Sequence, residues 1–165
     1  MNSGIRGGVI FALIVLAPAD SQAAGSDACA LLSAAEIGAI VGAPMDPGVP
    51  ITPTMTQYCS FNETGKGPGA GRNAQISIID EHKFTVGKTP IGSLVKTPES
   101  GIGDDAYWTK PPGMVYNLSV KKGSSYFRVQ SRTNKDALAK GNTPALDEQD
   151  KAADRKLAQA IIKKL

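Results

Sequence analysis

Residues 101–108 read GIGDDAYW, and the predicted fold is organised around this stretch. Its two glycines supply the backbone freedom that a tight turn needs, and the carboxylate of Asp104 can accept hydrogen bonds from nearby backbone N–H groups. Residues 106–109 then predict a short strand that enters a sheet. Because the turn depends on its backbone, we expect substitution of Gly103 to cost stability and substitution of Asp105 to cost little.

Four further segments alternate apolar and polar side chains in the way that is typical of strands. The last two are joined by a Lys-Lys-Gly-Ser turn, which favours a hairpin. These segments are residues 55–61, 73–80, 114–120 and 125–131.

The segments between the strands carry turn-forming residues. Residues 44–53 hold four prolines and predict an extended connector, and residues 62–72 predict a glycine-rich hairpin loop. Residues 81–86 fit either one helical turn or an irregular strand. Residues 87–100 predict an ordered loop.

A helix is predicted near each end of the mature chain. Ser33 and Glu36 have capping-box spacing, and Gly42 followed by Pro44 marks the end of this first helix. Thr143 and the proline after it predict the start of the last helix. Its apolar stripe, which should pack on the sheet, comprises Leu146, Ala153, Leu157, Ile161 and Leu165.

The order of these elements predicts an α+β domain. We expect an antiparallel sheet of about 4–5 strands, covered on one face by an N-terminal and a C-terminal helix and tied by one disulfide. Residues 24–165 would form this single domain, since a mature chain of about 140 residues is long enough for one core.

Residues 1–23 have the features of a secretory signal peptide. Arg6 precedes an apolar run at residues 8–17, and the small residues up to Ala23 fit a cleavage site. The run is too short for a stable membrane span, and the alternative interpretation is a retained N-terminal membrane anchor. We therefore expect a periplasmic or secreted protein with no transmembrane segment in its mature chain.

The chain contains two cysteines, Cys29 and Cys59. An even count in an exported protein predicts a disulfide, and two cysteines allow one pairing. The net charge of +3 comes from basic residues dispersed along the chain, which disfavours nucleic acid as a partner.

Two groups of residues are candidates for a site. Asp104 and Asp105 could bind a metal or act as acid and base. Together with His82, the one histidine of the chain, they could be the residues of a hydrolase. The spacing of a calcium loop is absent, and a structural turn is the simpler interpretation. The other candidates are the aromatic side chains of Tyr107, Trp108 and Tyr116, which could line a pocket for a flat ligand or pack in the core.

Five motifs in order resemble a broad group of small exported bacterial proteins and lipoproteins, many of them classed as domains of unknown function. Unlike many members, this chain has no credible lipobox before its first cysteine. The resemblance implies export and an α+β fold, and it implies no known activity. The motifs are DACALLSAAEI at residues 27–37, CSF at 59–61, GIGDDAY at 101–107, KGSSY at 122–126 and LAQAI at 157–161.

The sequence therefore predicts an exported, non-enzymatic binding or interaction module that needs no cofactor. Its partner would be an envelope protein or a small ligand. One alternative is a metal-binding protein or hydrolase that uses Asp104 and Asp105. Another alternative is a secreted enzyme inhibitor, which would need a rigid exposed loop, whereas residues 62–72 are small and polar.

Overall fold

A computed structural model of the chain describes residues 27–68, 70–92, 94–112, 114–134 and 143–165. Within these ranges the chain is an α+β structure with a 7-stranded antiparallel sheet, so the predicted fold class is confirmed and the predicted count of 4–5 strands is too low. The predicted signal peptide at residues 1–23 lies outside the described residues. No helix in the described ranges is long and apolar enough to cross a bilayer.

The elements follow one another along the chain as short helices and hairpin-linked strands. A 3₁₀ turn covers Ala28–Ala30, and the α-helices are α1 (Ala34–Val41), α2 (Glu81–Lys88) and α3 (Pro144–Ile162). The strands lie in the sheet in the order β1-β2-β3-β7-β6-β5-β4. Their bounds are β1 Val49–Pro50, β2 Tyr58–Asn62, β3 Asn73–Ile78, β4 Val95–Glu99, β5 Asp105–Lys110, β6 Asn117–Lys122 and β7 Ser125–Arg132.

The two strands that the sequence did not predict are the edges of the sheet. β1 lies in the proline-rich connector and pairs Pro50 with Cys59, and β4 lies in the predicted loop and pairs Pro98 with Tyr107. A proline cannot donate to a strand ladder, which is why prolines in sheets are confined to edge strands, the first residue of a strand and bulges. The prolines therefore mark edge strands here, whereas the sequence predicts an extended connector for the first segment and a loop for the second.

Both predicted helix signals are confirmed. The Ser33 side chain accepts from the Glu36 N–H while Glu36 accepts from the Ser33 N–H, and Gly42 ends α1 in the left-handed conformation with φ of 82°. Thr143 caps α3, and a proline occupies the first turn. Residues 81–86 are part of α2, which is helical throughout.

The larger core lies between the sheet and the pair α1 and α3. Alternate residues of the strands point into it, as do Leu157 and Ile161 from α3, so most of the predicted stripe is buried. Leu165, the last residue of that stripe, is exposed. The most completely buried apolar side chains of this core include Leu32, Ile37, Phe61, Ile76, Leu118, Val120, Phe127, Val129, Leu157 and Ile161.

The predicted disulfide is present and joins Cys29 to Cys59. It ties the 3₁₀ turn to β2, and its sulfur atoms lie at the edge of the larger core. The bond closes a loop of 30 residues, which is worth about 3 kcal/mol if its effect comes from restricting the unfolded chain.

Helices cover both faces of the sheet, which corrects the prediction of one covered face. α2 lies on the face opposite α1 and α3, where Phe84 packs with Tyr107, Tyr126 and Ile79 in a second, smaller core. The sequence of α2 has a weak apolar pattern because Phe84 is its one buried residue. A single anchoring side chain leaves little periodicity to detect.

The turn at residues 101–104 holds β5 against β6. Gly103 has φ of 63°, and a Cβ there would overlap the Lys121 carbonyl oxygen and lie 2.8 Å from Val120 Cγ1. The Asp104 N–H donates to that same carbonyl at 2.9 Å. Asp104 then accepts from the Gly123 N–H at 2.7 Å and from Lys122 at 2.8 Å, so this carboxylate joins the turn to the β6–β7 hairpin.

Three aspartates of α3 are buried, which their sequence does not reveal: Asp147, Asp150 and Asp154. Asp150 accepts from the N–H and the hydroxyl of Thr133 at 2.8 and 2.6 Å. Asp154 is 0 % exposed, and no described residue donates to either carboxylate oxygen at hydrogen-bonding geometry. Burial raises the pKa of Asp154 well above its usual value, and proximity to Ser131 offsets only part of that effect.

We predict that Gly103→Val destabilises the protein by about 3 kcal/mol or more, because it combines a left-handed backbone with a steric overlap. Gly101→Val is the matched control: its φ is 77°, but a Cβ there meets no atom within 4 Å, so only a backbone cost of about 1–2 kcal/mol is expected. Asp105→Asn, which weakens a half-exposed ion pair to Lys88, should cost less than about 1 kcal/mol. Urea unfolding measures all three, and a larger cost for Asp105→Asn than for Gly103→Val would favour the acidic-site interpretation.

We predict that Asp154→Asn changes the pH dependence of stability. A raised carboxyl pKa means that the folded state holds the proton more tightly, so this side chain destabilises the fold progressively as the pH rises above its ordinary value of 3.8. The free energy of unfolding of Asp154→Asn, relative to the natural chain, should therefore rise between pH 4 and pH 7.

We predict that Asp104→Asn changes the pH dependence of the free energy of unfolding in the opposite direction. Its hydrogen bonds from Lys122 and from the Gly123 N–H lower the pKa of Asp104, so its contribution is present above pH 3.8 and is lost on acidification. Urea titrations at several pH values compare the two variants. Parallel pH profiles for Asp154→Asn and the natural chain would contradict a raised pKa.

Candidate ligand-binding cleft

The outer face of the sheet, the face on which α2 lies, carries a row of polar side chains from five adjacent strands. Strand pairing places Tyr58 beside Ser77, Ser77 beside Arg128, Arg128 beside Ser119, and Ser119 beside Tyr107. The Arg128 Nε donates to the Ser119 hydroxyl at 3.1 Å. This face is therefore built for polar contact, whereas the opposite face is apolar and packed.

A close approach of α2 to β5 holds the helix on this face. The Tyr107 hydroxyl donates to the Phe84 carbonyl at 3.0 Å, and the two rings contact edge to face with centroids 5.2 Å apart. A Cβ at Gly87 would overlap the Tyr107 hydroxyl. Gly87 thus allows the helix to rest directly on the tyrosine.

Between α2, the segment that follows it and the sheet lies a cleft of about 490 Å³, which we call the α2 cleft. Its volume falls within the range of about 300–1,000 Å³ that is typical of ligand pockets. Its floor comes from the outer face of the sheet, and its wall comes from α2 together with Ile91 and Leu94. The lining residues that the argument uses are Val86, Ile91, Leu94, Lys96, Thr109 and Arg128.

The lining of the α2 cleft is apolar on one side and cationic on the other. Val86 and Ile91 are 45 % and 61 % exposed, two of the most exposed large apolar side chains among the described residues. Lys83, Lys96 and Arg128 supply positive charge, and none of the described residues that line the cleft is an aspartate or a glutamate. Its surface therefore complements a molecule that is both apolar and negatively charged.

A second cavity of about 180 Å³ lies at the end of the larger core, where Leu31, Tyr126, Ile161 and Leu165 meet. It is smaller than typical ligand pockets. Its lining residues carry no charged side chain, so it offers fewer means of fixing the orientation of a ligand.

The structure does not bring the three predicted aromatic residues into one pocket. Tyr107 and Trp108 are neighbours in β5, so they point to opposite faces of the sheet, and both are nearly fully buried. Tyr107 supports α2, whereas Trp108 faces α3. Tyr116 accompanies Trp108 with ring centroids 6.0 Å apart.

Charged side chains close the space around Trp108. The indole N–H donates to Glu99, which also accepts from the guanidinium of Arg155 at 2.8 and 3.1 Å. The Lys151 ammonium lies 4.1 Å from the centre of the Tyr116 ring. These hydrogen bonds lower the pKa of Glu99, with Arg155 as the main cause, and they join β4 and β5 to α3.

Asp104 and Asp105 are each engaged by a different lysine. Asp104 pairs with Lys122 at 2.8 Å, and Asp105 pairs with Lys88 at 2.5 Å. Within the described part of the chain, no group of three or more His, Cys, Asp or Glu side chains is arranged to hold a metal ion. The pair thus has local partners and no converging ligands in the part of the chain that the structure describes.

Sequence reasoning named one residue of the α2 cleft, His82, which lies on the first turn of α2. It missed Lys96 because β4 was interpreted as a loop. Arg128 could have been found from the alternation of β7, which puts Tyr126, Arg128 and Gln130 on the face opposite Phe127 and Val129.

Comparisons of the chain with protein-family models, with curated proteins and with solved structures found no match.

We predict that Gly87→Ala destabilises the protein, although alanine is the better helix former by about 1 kcal/mol. The added methyl group would overlap the Tyr107 hydroxyl and displace α2 from the sheet. Thermal and urea unfolding measure the effect, and a stabilised variant would contradict this packing.

Tyr107→Phe tests whether overlap with the Tyr107 hydroxyl causes the destabilisation by Gly87→Ala, because it removes the hydroxyl and keeps the ring. In the double variant Gly87→Ala/Tyr107→Phe the methyl group no longer meets that oxygen. The double variant should therefore lose less unfolding free energy than the two single variants lose in sum. Additive costs would show that the Gly87–Tyr107 contact does not limit how closely α2 approaches the sheet.

Proposed function

We propose that this chain is an exported, non-enzymatic binding module that holds a small ligand in the α2 cleft. The observation that supports the proposal is the cleft itself, with its exposed apolar wall and its polar floor. Val86 and Ile91 are 45 % and 61 % exposed, and both line the same cleft. A ligand against this wall would remove that apolar area from water.

The architecture around the cleft supports binding rather than a core that is merely incomplete. The floor includes Thr109 of β5, Asn117 of β6 and Arg128 of β7, three adjacent strands whose opposite faces pack into the larger core, so these polar side chains have rigid support. α2 is fixed by Phe84 and Tyr107 on one side only. The cleft therefore combines a rigid floor with a wall that depends on one helix.

Export is the part of the proposal that rests on the sequence. The disulfide between Cys29 and Cys59 is compatible with an oxidising compartment, and the signal-peptide features of residues 1–23 point the same way. We propose the periplasm or the exterior of the cell as its location.

A small-fragment screen followed by ¹H–¹⁵N correlation spectra tests the proposal. We expect fragments that bind to shift the amide signals of residues around the α2 cleft, among them Val86, Leu94 and Thr109. Ile91→Asp should weaken this binding by about tenfold, because it puts a carboxylate into the apolar wall.

Met114→Asp is the matched control. Met114 is 63 % exposed, as Ile91 is at 61 %, but it lies outside the cleft, so its substitution should leave fragment binding unchanged. Signal shifts that centre on Trp108 and Tyr116 would overturn the assignment of the α2 cleft and would favour the aromatic site predicted from the sequence.

A further inference from the structure

Arg128 differs from the other half-buried arginines for which the structure shows ion pairs. Arg155 pairs with Glu99 at 2.8 Å, and Arg72 lies 3.8 Å from Glu63. Arg128 is also half-buried, yet no carboxylate of the described residues lies within ion-pair distance of it. The one side-chain hydrogen bond that Arg128 makes to a described residue, to Ser119, uses a single donor of the five that a guanidinium offers.

A partly buried cation without a counter-ion is unfavourable, since it has lost part of its hydration and gained no opposite charge. The arrangement becomes favourable when an anion from outside supplies the missing partner. The planar guanidinium suits a carboxylate, sulfonate or phosphate, which it can hold through two parallel hydrogen bonds.

A second cation lies in the same cleft. Lys96 comes from β4 and is also half-buried, and its ammonium group donates to the Thr89 carbonyl, with no acidic partner among the described residues. Lys83 contributes less, because Asp80 lies 3.5 Å from its ammonium nitrogen. Arg128 and Lys96 are therefore the two cations of the cleft for which no described residue supplies a counter-ion; Arg128 lies on the central strand β7 and Lys96 on the edge strand β4.

The apolar part of the cleft lies on the α2 side. Val86, Ile91 and Leu94 line it, and none of the three is buried. A ligand that satisfies both sides must carry an anionic group and an apolar body on the same molecule. A small inorganic anion would leave the apolar wall in water, and a neutral hydrophobe would leave the cations without a partner.

We propose that the α2 cleft binds an anionic amphiphile, a molecule with one acidic head group and an apolar body. Arg128 binds the head group, Lys96 adds positive charge on the β4 side of the cleft, and Val86, Ile91 and Leu94 contact the body. This inference rests on the proposed function, to which it adds the chemical class of the ligand.

Two fluorescent probes that differ by one charged group test the class directly. 1-Anilinonaphthalene-8-sulfonate carries a sulfonate, and N-phenyl-1-naphthylamine is the same ring system without it. We expect the sulfonate probe to bind with one-to-one stoichiometry and at least tenfold more tightly than the neutral probe, since only the sulfonate can accept charge-assisted hydrogen bonds from Arg128.

Arg128→Gln should weaken the sulfonate probe about tenfold and leave the neutral probe unchanged, because it removes the charge and keeps a hydrogen-bond donor near Ser119. Lys156→Gln is the matched control: Lys156 is an exposed lysine of α3 outside the cleft, so neither probe should respond. Unfolding curves confirm that each variant is folded. If Arg128→Gln does not fold, Lys96→Gln and a salt titration of the natural chain take its place, since salt should weaken only the sulfonate probe.

The outcomes separate this inference from the proposed function. Equal affinity for the two probes, with both weakened by Ile91→Asp, would overturn the anionic class and leave the α2 cleft as a binding site. Binding of both probes that Ile91→Asp and Arg128→Gln leave unchanged would place the probes elsewhere and would overturn both the class and the site.

Discussion

The pairing of β3 with β7 is the interaction on which the rest of the structure depends. It joins the disulfide-tied N-terminal strands to the C-terminal hairpin, and without it the sheet would separate into two small pieces. The residues that pair are about 50 positions apart, so the chain must close a long loop before it gains these contacts. Side chains of this pair alternate between the two faces of the sheet. Ile76 and Val129 enter the larger core, while Ser77 and Arg128 lie on the outer face, where Arg128 lines the α2 cleft. One register thus determines the core and the candidate site together, and a slip by one residue would exchange them.

α2 is held in a different way from the other helices. α1 and α3 pack into the larger core through several apolar residues, whereas α2 buries Phe84 alone and relies on the backbone approach at Gly87. A helix attached by one ring leaves the rest of its inner side free, and that free side is the wall of the cleft. The feature that weakens the hydrophobic pattern of α2 in the sequence is therefore the same feature that leaves a binding surface exposed.

The elements predicted well are those whose signals are local. The capping box at Ser33, the glycine that ends α1 and the Thr143 cap are formed by residues within a few positions of one another, so the sequence contains the whole interaction. β1 and β4 were missed because an edge strand is defined by its neighbour, and their prolines alone favour a loop. The three predicted aromatic residues do not form one pocket for a similar reason. Tyr107 and Trp108 are adjacent in sequence, and neighbouring residues of a strand face opposite sides of the sheet.

The sequence by itself determined the α+β class, the ends of two helices, the turn at residues 101–104 and the one possible disulfide, because each follows from a local pattern or from the count of a residue type. Only the tertiary structure decided which charges have partners. Nothing in the sequence distinguishes four charged residues, Arg128, Arg155, Asp104 and Asp154, from other charged residues. The first three have side-chain partners that lie 9 to 56 positions away in the chain, whereas no described residue donates a hydrogen bond to the Asp154 carboxylate. Desolvation and ion pairing depend on distances that chain folding sets, and for this reason the candidate site became visible only in three dimensions.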